Sequence, residues 1–396
     1  MASETFEERV ERACKNREIP GTILVGEDKE GKLRYEKVFG RRSLKDLSKP
    51  DPLTLDATMW LASCTKLPTT VAVMQCVEKG LLKLEDDITG ILPEFKDVKI
   101  LTGFDESNNV FLLETNQLSR HLLTHLSGLS YAVFMMARYG AQIIGEPTLN
   151  VQRSLTEEFK FPLLFAPGEA WEYGVGIDWA GAMVERVTGT TLEEYVNENT
   201  WGGLGVKSMT FHPKRNPAVF EKLTDMSLRG GGINEMGTAI DLEGIVEYTD
   251  DRVWNLETPD SQGGAGSFGS PLDYQKLLHS ICKDDEKILK KTTVDLMFQD
   301  HLTPEAKKAF NQMLEISELN EAYGGIPRGI EVTYGLGGMI SLNDNPGGRR
   351  AGTMNWGGYP NLLWFIDRKG GMSGIIGSQI CPLGDVNNNS LFRMWE

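Results

Sequence analysis

The two ends of the chain carry the sequence patterns of β-strands, and the long middle carries those of helices. Near the start, "TILVGEDKEGKLRYEKVFG" predicts two strands joined by a turn at residues 29–32. Near the end, short apolar runs separated by turn residues predict an antiparallel meander: "YGLGGMISLND", "RRAGTMNWGG", "NLLWFIDRKG" and "GMSGIIGSQI". The simplest assembly joins both ends in one sheet. We therefore expect an α+β fold in which an antiparallel sheet is flanked by helices.

Helical patterns fill the region between these ends. Apolar positions recur at helical spacing from Lys66 to about Gly80, and further helical patterns occur in "LSRHLLTHLSGLSYAVFMMARYG" and "IDWAGAMVERVTG". We expect residues 1–85 and 210–396 to form a discontinuous α/β lobe, and residues 86–209 to form an inserted, mostly α-helical lobe.

Composition narrows the classes of function. The 396 residues carry a net charge of -15, which leaves no basic surface to neutralise phosphates, so we expect no nucleic-acid partner. No apolar run approaches the roughly 18 residues that a membrane-spanning helix needs, and "MASETFEERV" is charged where a signal peptide is apolar. We expect a cytoplasmic protein with no membrane partner. The five cysteines are spaced singly, which indicates reduced thiols: Cys14, Cys64, Cys76, Cys282 and Cys381.

The pattern Ser-x-x-Lys, which can pair a nucleophile with a base, occurs twice. Ser280 falls near the end of a helix that Ser270 and Pro271 open, where the negative partial charge opposes a developing oxyanion, so we interpret it as structural. Ser63 falls at the start of a helix, where free N–H groups favour an oxyanion, and Lys66 shares its face. On this pattern alone, a helix-capping serine followed by an exposed lysine is the commoner arrangement.

A zinc site is the main alternative that the sequence offers. His121 and His125 have the i, i+4 spacing of zinc ligands, but "HLLTH" lacks the glutamate of H-E-x-x-H and a third ligand is not evident. Structural histidines are the better interpretation, and we expect neither a metal nor another cofactor. The chain also has no G-x-S-x-G motif, which argues against an α/β-hydrolase.

Four segments, in this order and spread over most of the chain, resemble the serine β-lactamase/penicillin-binding superfamily: "LASCTKL", "LLTHLSGLSY", "PGEAWEYGVGIDWAG" and "NWGGYPNLLW". They are most similar to its class C-like esterases and fungal acyltransferases, or transesterases. The resemblance implies a β-lactamase-like fold with the active site at the junction of the two lobes. It also implies that Ser63 is the nucleophile, Lys66 its paired base and Tyr173 the tyrosine of the second motif, so that Lys66 and Tyr173 share the proton relay.

The third motif of the superfamily is matched by Trp356-Gly357-Gly358. By the resemblance, the backbone N–H groups of Ser63 and Tyr359 form the oxyanion hole, and the stretch from Trp356 to Tyr359 binds substrate. The alternative is that the two aromatic residues belong to the core of the sheet. Similarly, the glycine-rich "GGAGSFG" either lies near the cleft or is simply a loop before the Pro271 helix.

Two departures from the superfamily pattern bear on the substrate. Trp356 replaces the lysine of the third motif, which removes a partner for a substrate carboxylate, and Val175 replaces the usual asparagine of the second motif. β-Lactams and cell-wall peptides therefore fit poorly, whereas neutral, apolar acyl groups carried as esters or thioesters fit well.

These observations lead to a principal hypothesis and two alternatives. The principal one is a serine acyltransferase of fungal secondary metabolism, which moves an acyl group from a thioester or ester donor to a hydroxyl or amine of a small natural product through acyl-Ser63. By the resemblance, a carrier protein or coenzyme A could deliver the acyl group. The first alternative is a carboxylesterase that uses the same residues, and the second is a non-catalytic binding protein that retains the fold.

Overall fold

The computed structural model of the chain describes residues 4–104, 110–114, 119–131, 154–159, 162–231 and 244–396. Its strands are β1 (Gly21–Asp28), β2 (Arg34–Gly40), β3 (Met59–Trp60), β4 (Lys99–Phe104), β5 (Val110–Glu114), β6 (Ser227–Arg229), β7 (Val246–Tyr248), β8 (Phe268–Gly269), β9 (Val332–Tyr334), β10 (Met339–Ser341), β11 (Met354–Gly358), β12 (Leu362–Asp367), β13 (Met372–Gly377) and β14 (Ile380–Cys381).

The α-helices in the same ranges are α1 (Phe6–Lys15), α2 (Lys66–Glu78), α3 (Ser119–Thr124), α4 (Leu155–Glu158), α5 (Gly176–Thr188), α6 (Leu192–Val196), α7 (Pro217–Phe220), α8 (Pro271–Lys283), α9 (Lys291–Met297), α10 (Pro304–Met313), α11 (Ser317–Ala322) and α12 (Val386–Trp395).

The main sheet joins strands from both ends of the chain, as the sequence predicts. Its seven strands run in the order β2-β1-β13-β12-β11-β10-β9, and each neighbouring pair is antiparallel. The predicted turn at residues 29–32 lies between β1 and β2, and residues 368–371 join β12 to β13. Sheet and helices together confirm the α+β prediction.

One helix packs against the main sheet, and another runs through the core. α2 is buried at every residue from Lys66 to Cys76, so it runs through the core and not along the surface. α8 packs against β1, β12 and β13. The Ser270 side chain accepts a hydrogen bond from the N–H of Leu272 and Pro271 occupies the first turn, which is the predicted start of this helix.

The middle of the chain departs from the helical expectation in two places. β4 and β5 pair as an antiparallel hairpin inside residues 86–209. α3 ends at Thr124 because His125 takes a φ of 60°, which a right-handed helix cannot continue. The helical pattern predicted beyond Tyr131 lies outside the described residues. The division into two lobes at residues 86 and 209 stays a prediction.

The structure also bears on the predictions about membrane-spanning helices and about the cysteines. Across the described ranges, no helix combines the length and the apolar character that crossing a bilayer requires. All five cysteines lie in those ranges and none forms a disulfide.

Candidate active site

Ser63 lies in a single turn of 3-10 helix, Ala62–Thr65, which runs directly into α2. Ala62 takes a φ of 45°, in the left-handed region that an alanine rarely adopts. Such backbone strain persists only where the surroundings enforce it, and it occurs most often at functional sites. The sharp entry into the turn sets the position from which the half-buried Ser63 side chain projects.

Three elements distant in sequence hold this turn in place. The Tyr274 hydroxyl of α8 donates to the Cys64 carbonyl oxygen at 2.8 Å, and the hydroxyls of Thr65 and Ser267 are 2.7 Å apart. From the other side, β11 passes so close that a Cβ on Gly358 would lie 2.3 Å from the Leu61 carbonyl oxygen. Glycine at this place in the third motif is therefore required by close backbone approach.

Lys66 begins α2 and points its ammonium group at the Ser63 hydroxyl. Nζ lies 3.3 Å from Ser63 Oγ, 2.8 Å from the Tyr131 hydroxyl and 2.8 Å from the Gly264 carbonyl oxygen, and it donates to all three. The residue has no exposed surface. It is therefore not the exposed lysine of the commoner arrangement, because its charge is buried and fully hydrogen-bonded.

Tyr173 brings a second proton-carrying group to the same oxygen. Its hydroxyl donates to Ser63 Oγ at 2.6 Å, from the loop that precedes α5. The Lys66 Nζ also lies 4.7 Å from the centroid of the Tyr173 ring, a cation–π distance. The structure thus brings together the three side chains that the sequence singled out, Ser63, Lys66 and Tyr173, although they come from separate motifs.

Two residues of this cluster were missed by the sequence analysis. The Tyr131 hydroxyl accepts from Lys66, and burial raises the pKa of Tyr131 well above its usual value, which keeps the hydroxyl protonated. Asp178, in the first turn of α5, accepts from the Gly264 N–H at 2.8 Å, and burial raises the pKa of this carboxyl to about 6. The available signal was an aspartate between Ile177 and Trp179 in the otherwise apolar first two turns of the helix.

The third-motif residues divide between two aromatic clusters. The Trp356 ring centroid lies 5.3 Å from that of Tyr173 and 5.2 Å from that of Tyr334, so Trp356 adjoins the serine cluster. The Tyr359 ring instead lies 6.0 Å from the Trp60 ring. Trp356 is only 6% exposed, as expected of a core aromatic, yet it contacts a side chain that touches Ser63 Oγ. The core interpretation and the substrate interpretation are therefore compatible for this residue.

The backbone of the third motif passes beside the serine. β11 ends at Gly358 and Tyr359 follows it directly, next to the turn that carries Ser63. The oxyanion hole formed by the N–H groups of Ser63 and Tyr359 stays a prediction, as does substrate binding by Gly357 and Gly358.

The two histidines of the possible zinc motif are both buried. The His125 Nδ1 atom accepts from the Gly174 N–H at 3.3 Å, beside Tyr173, and burial lowers the pKa of His125 well below 6.5. Burial likewise lowers the pKa of His121 to about 4. Within the part of the chain that the structure describes, no three His, Cys, Asp or Glu side chains are grouped to hold a metal ion.

Ser280, the serine of the second Ser-x-x-Lys pattern, has the surroundings of a structural residue. Ser280 is 3% exposed, and its hydroxyl donates to Asp285 Oδ1 at 2.6 Å, just beyond the end of α8. Its surroundings are those of a helix C-terminus, as predicted from the sequence.

The cluster as a whole has the parts of a nucleophilic acyl-transfer site. A serine hydroxyl lies at the start of a helix, within hydrogen-bonding distance of a lysine and a tyrosine that can exchange its proton. Such a geometry can form and break an ester bond at Ser63.

The comparisons with known proteins identify the family of the chain. The sequence model of the beta-lactamase family matches residues 6–380, and the chain belongs to that family. Its fold is that of simvastatin synthase from Aspergillus terreus: a solved structure of a mutant of that enzyme (LovD6) superposes with a TM-score of 0.87 at 36% identity, covering 99% of this chain and 92% of the other.

Two curated relatives define the class more closely. Monacolin J acid methylbutanoyltransferase from Aspergillus terreus is 35% identical over 97% of this chain and 92% of its own length. Lovastatin esterase from Penicillium rubens is 38% identical over 90% of this chain and 88% of its own length. The chain is therefore an enzyme of the acyltransferase and esterase branch, which confirms that prediction and excludes the non-catalytic alternative.

Proposed function

We propose that this enzyme is a serine acyltransferase that moves a short acyl group from a thioester or ester donor to a hydroxyl or amine of a small natural product. The observation that carries the proposal is the convergence of Lys66 Nζ and Tyr173 Oη on Ser63 Oγ, at 3.3 and 2.6 Å. The relative named for a methylbutanoyl group and monacolin J acid supports a short branched acyl group and a small natural-product acceptor.

In the first half-reaction, Ser63 Oγ attacks the acyl carbonyl carbon and its proton passes to the relay formed by Tyr173 and Lys66. The carbonyl oxygen becomes an oxyanion, which the N–H groups of Ser63 and Tyr359 stabilise. The carbon–sulfur bond then breaks, the relay returns a proton to the leaving thiolate, and acyl-Ser63 remains. In the second half-reaction, the acceptor hydroxyl or amine attacks the acyl carbon of acyl-Ser63 and gives its proton to the relay. The bond between that carbon and Ser63 Oγ then breaks, and the relay returns a proton to Oγ, which restores the Ser63 hydroxyl.

The surroundings of the serine favour an uncharged acyl group. Trp356 stands where β-lactamases carry a lysine, and its ring packs on Tyr173 and Tyr334. Val175 is fully buried at the start of α5, so it presents no amide to a substrate. We propose that the donor reaches the site on a carrier protein or on coenzyme A, in the cytoplasm.

The acyl-enzyme can be observed directly. Wild-type protein is mixed with the N-acetylcysteamine thioester of 2-methylbutyric acid, without acceptor, and its intact mass is followed over time. We expect an increase by one methylbutanoyl group on the wild type and none on Ser63→Ala. Ser280→Ala is the matched control, because it removes the serine of the other Ser-x-x-Lys pattern, and it should be acylated like the wild type. Acylation of Ser63→Ala at the wild-type rate would contradict the mechanism.

A carboxylesterase is the second candidate, favoured by the 38% identity to lovastatin esterase. The two activities differ in whether water or an alcohol collects the acyl group. Products are therefore quantified with and without an added pool of a small secondary alcohol. Free acid released at the same rate in both samples identifies an esterase, whereas a new ester formed at the expense of free acid identifies a transferase.

A further inference from the structure

A carboxylate lies buried beneath the serine cluster. Asp178 is 1% exposed, in the first turn of α5, and its Oδ1 atom accepts from the Gly264 N–H at 2.8 Å. The Oδ2 atom is buried and has no hydrogen-bond partner among the residues that the structure describes. A buried carboxylate with an unsatisfied oxygen is costly to a fold, and such a group persists where it serves another group nearby.

The loop at Gly263 and Gly264 contacts both Asp178 and Lys66. The Gly264 carbonyl oxygen accepts from Lys66 Nζ at 2.8 Å, and the Gly263 carbonyl oxygen accepts from the Thr69 hydroxyl at 2.8 Å. A Cβ on Gly264 would lie 2.1 Å from Asp178 Oδ2. The two glycines are therefore fixed between α2 on one side and the Asp178 carboxylate on the other.

Lys66 and Asp178 also interact through their opposite charges. Lys66 has no exposed surface, and an ammonium in such surroundings requires a compensating negative charge. Burial raises the pKa of Asp178 to about 6. The positive charge of Lys66 acts in the opposite direction and limits this rise in the pKa. Near neutral pH the carboxyl is therefore ionised. The titratable side chains that interact with it are Lys66 and Tyr131.

We propose that Asp178 is a positioning residue for Lys66: it fixes the Gly264 carbonyl on the ammonium group and supplies the buried negative charge that balances it. The inference rests on the proposed role of Lys66 in acyl transfer. Asp178 touches neither Ser63 nor the substrate in this scheme, and it acts only through Gly264 and through its charge.

The first test needs no activity. Unfolding by urea is measured at pH 7.5 for four proteins: wild type, Asp178→Asn, Lys66→Met and the double variant. Asparagine keeps an acceptor for the Gly264 N–H and removes the charge. If Asp178 balances Lys66, Asp178→Asn changes the midpoint urea concentration less favourably in the wild-type background than in the Lys66→Met background. Equal shifts in the two backgrounds would overturn the proposal.

The second test is the pH dependence of Ser63 acylation by p-nitrophenyl butyrate, followed as the p-nitrophenol burst. An ionised acceptor makes the stronger hydrogen bond, so the wild-type rate should fall below an inflection near pH 6, where the carboxyl gains a proton. Asp178→Asn should be slow at every pH, by about tenfold, without that inflection. His121 and His125 do not account for this inflection, because burial lowers their pKa values below it.

Glu185→Gln is the matched control on the same helix. Glu185 Oε1 accepts from the Leu192 N–H at 2.7 Å, so the change likewise removes a charge and retains an acceptor, but away from Lys66. It should keep the wild-type inflection. An inflection that persists in Asp178→Asn would overturn the proposal. If the wild type is not acylated at any pH, the proposed function fails, and the urea cycle alone decides the role of Asp178.

Discussion

Two tyrosines of the serine cluster differ in the atom that each hydroxyl contacts. The Tyr173 hydroxyl donates to Ser63 Oγ, whereas the Tyr131 hydroxyl accepts from Lys66 and hydrogen-bonds with Tyr173. A group that touches the nucleophile takes part in proton transfer itself, and a group that touches the lysine orients it. The two should therefore respond differently to loss of the hydroxyl.

We expect Tyr173→Phe to slow acylation of Ser63 by about 10²- to 10⁴-fold, the usual contribution of a positioned proton-transfer group. Tyr131→Phe should slow it by about tenfold or less, because Lys66 keeps its hydrogen bonds to Ser63 and Gly264. Single-turnover acylation by p-nitrophenyl butyrate measures both. Equal losses in the two variants would show that Tyr173 acts only by orienting Lys66.

At the scale of elements, the position of Ser63 depends on how closely β11 approaches the turn Ala62–Thr65. Gly358 is the contact point, since an added Cβ would meet the Leu61 carbonyl oxygen at 2.3 Å. The strand cannot retreat freely, because Trp356 on the same strand is paired with Trp364 of β12. The clash must then be relieved by the turn itself.

Gly358→Ala should therefore destabilise the fold by about 1–3 kcal/mol, the usual cost of an overpacked contact, and should also slow acylation. Gly90→Ala is the control, because a Cβ at Gly90 meets no atom within 4 Å and its φ is not positive. Urea unfolding and the acylation burst are measured on both variants. A Gly358→Ala protein with wild-type stability and acylation would contradict the close approach.

Much of this arrangement could be predicted from the sequence, and the reason why it could be predicted differs from element to element. The hairpin at the start, the meander at the end and the opening of α8 follow local rules of alternation, turn residues and capping, so they were predicted. Ser63, Lys66 and Tyr173 were predicted because each lies in a recognisable motif. The hairpin formed by β4 and β5 was missed because its pairing is decided by packing, which local patterns do not record.

The roles of Tyr131 and Asp178 were missed for a different reason. Both depend on contacts with Lys66 or Gly264 that cross from one motif to another, and spacing along the chain does not encode such contacts. Asp178 in particular looks like an ordinary helix residue until the glycine-rich segment is seen lying against it. The sequence leaves open whether that glycine-rich segment lies near the cleft or is simply a loop. In the structure, its Gly264 carbonyl oxygen contacts Lys66.

At the scale of the whole molecule, acid should weaken the fold through its buried histidines. Burial lowers the pKa of His121 from 6.5 to about 4, so the unfolded chain binds a proton at higher pH than the folded one. The stability contributed by neutral His121 is thus complete above pH 6.5 and is lost as the pH falls through about 4. Asp178 acts in the opposite direction, because its raised pKa favours the folded state as the pH falls from about 6.

Comparison with a His121→Gln variant isolates the histidine from these other groups. Between pH 7 and pH 4, the wild type should lose about 1–2 kcal/mol more of its free energy of unfolding than the variant does. Urea midpoints measured at half-unit intervals of pH give both curves. Parallel curves across this range would mean that His121 is not held neutral by the fold.

The joining of β1 to β13 has a consequence for how the protein is made. The Thr22 hydroxyl donates to the Gly377 carbonyl oxygen across 355 residues of chain, and the turn around Ser63 is held by Tyr274 and by the approach of Gly358. During synthesis the first strand leaves the ribosome long before its partner exists, with its edge open to other chains. The nascent chain is therefore exposed to aggregation until β13 has been synthesised, and we expect a chain that stops short of β13 to be inactive.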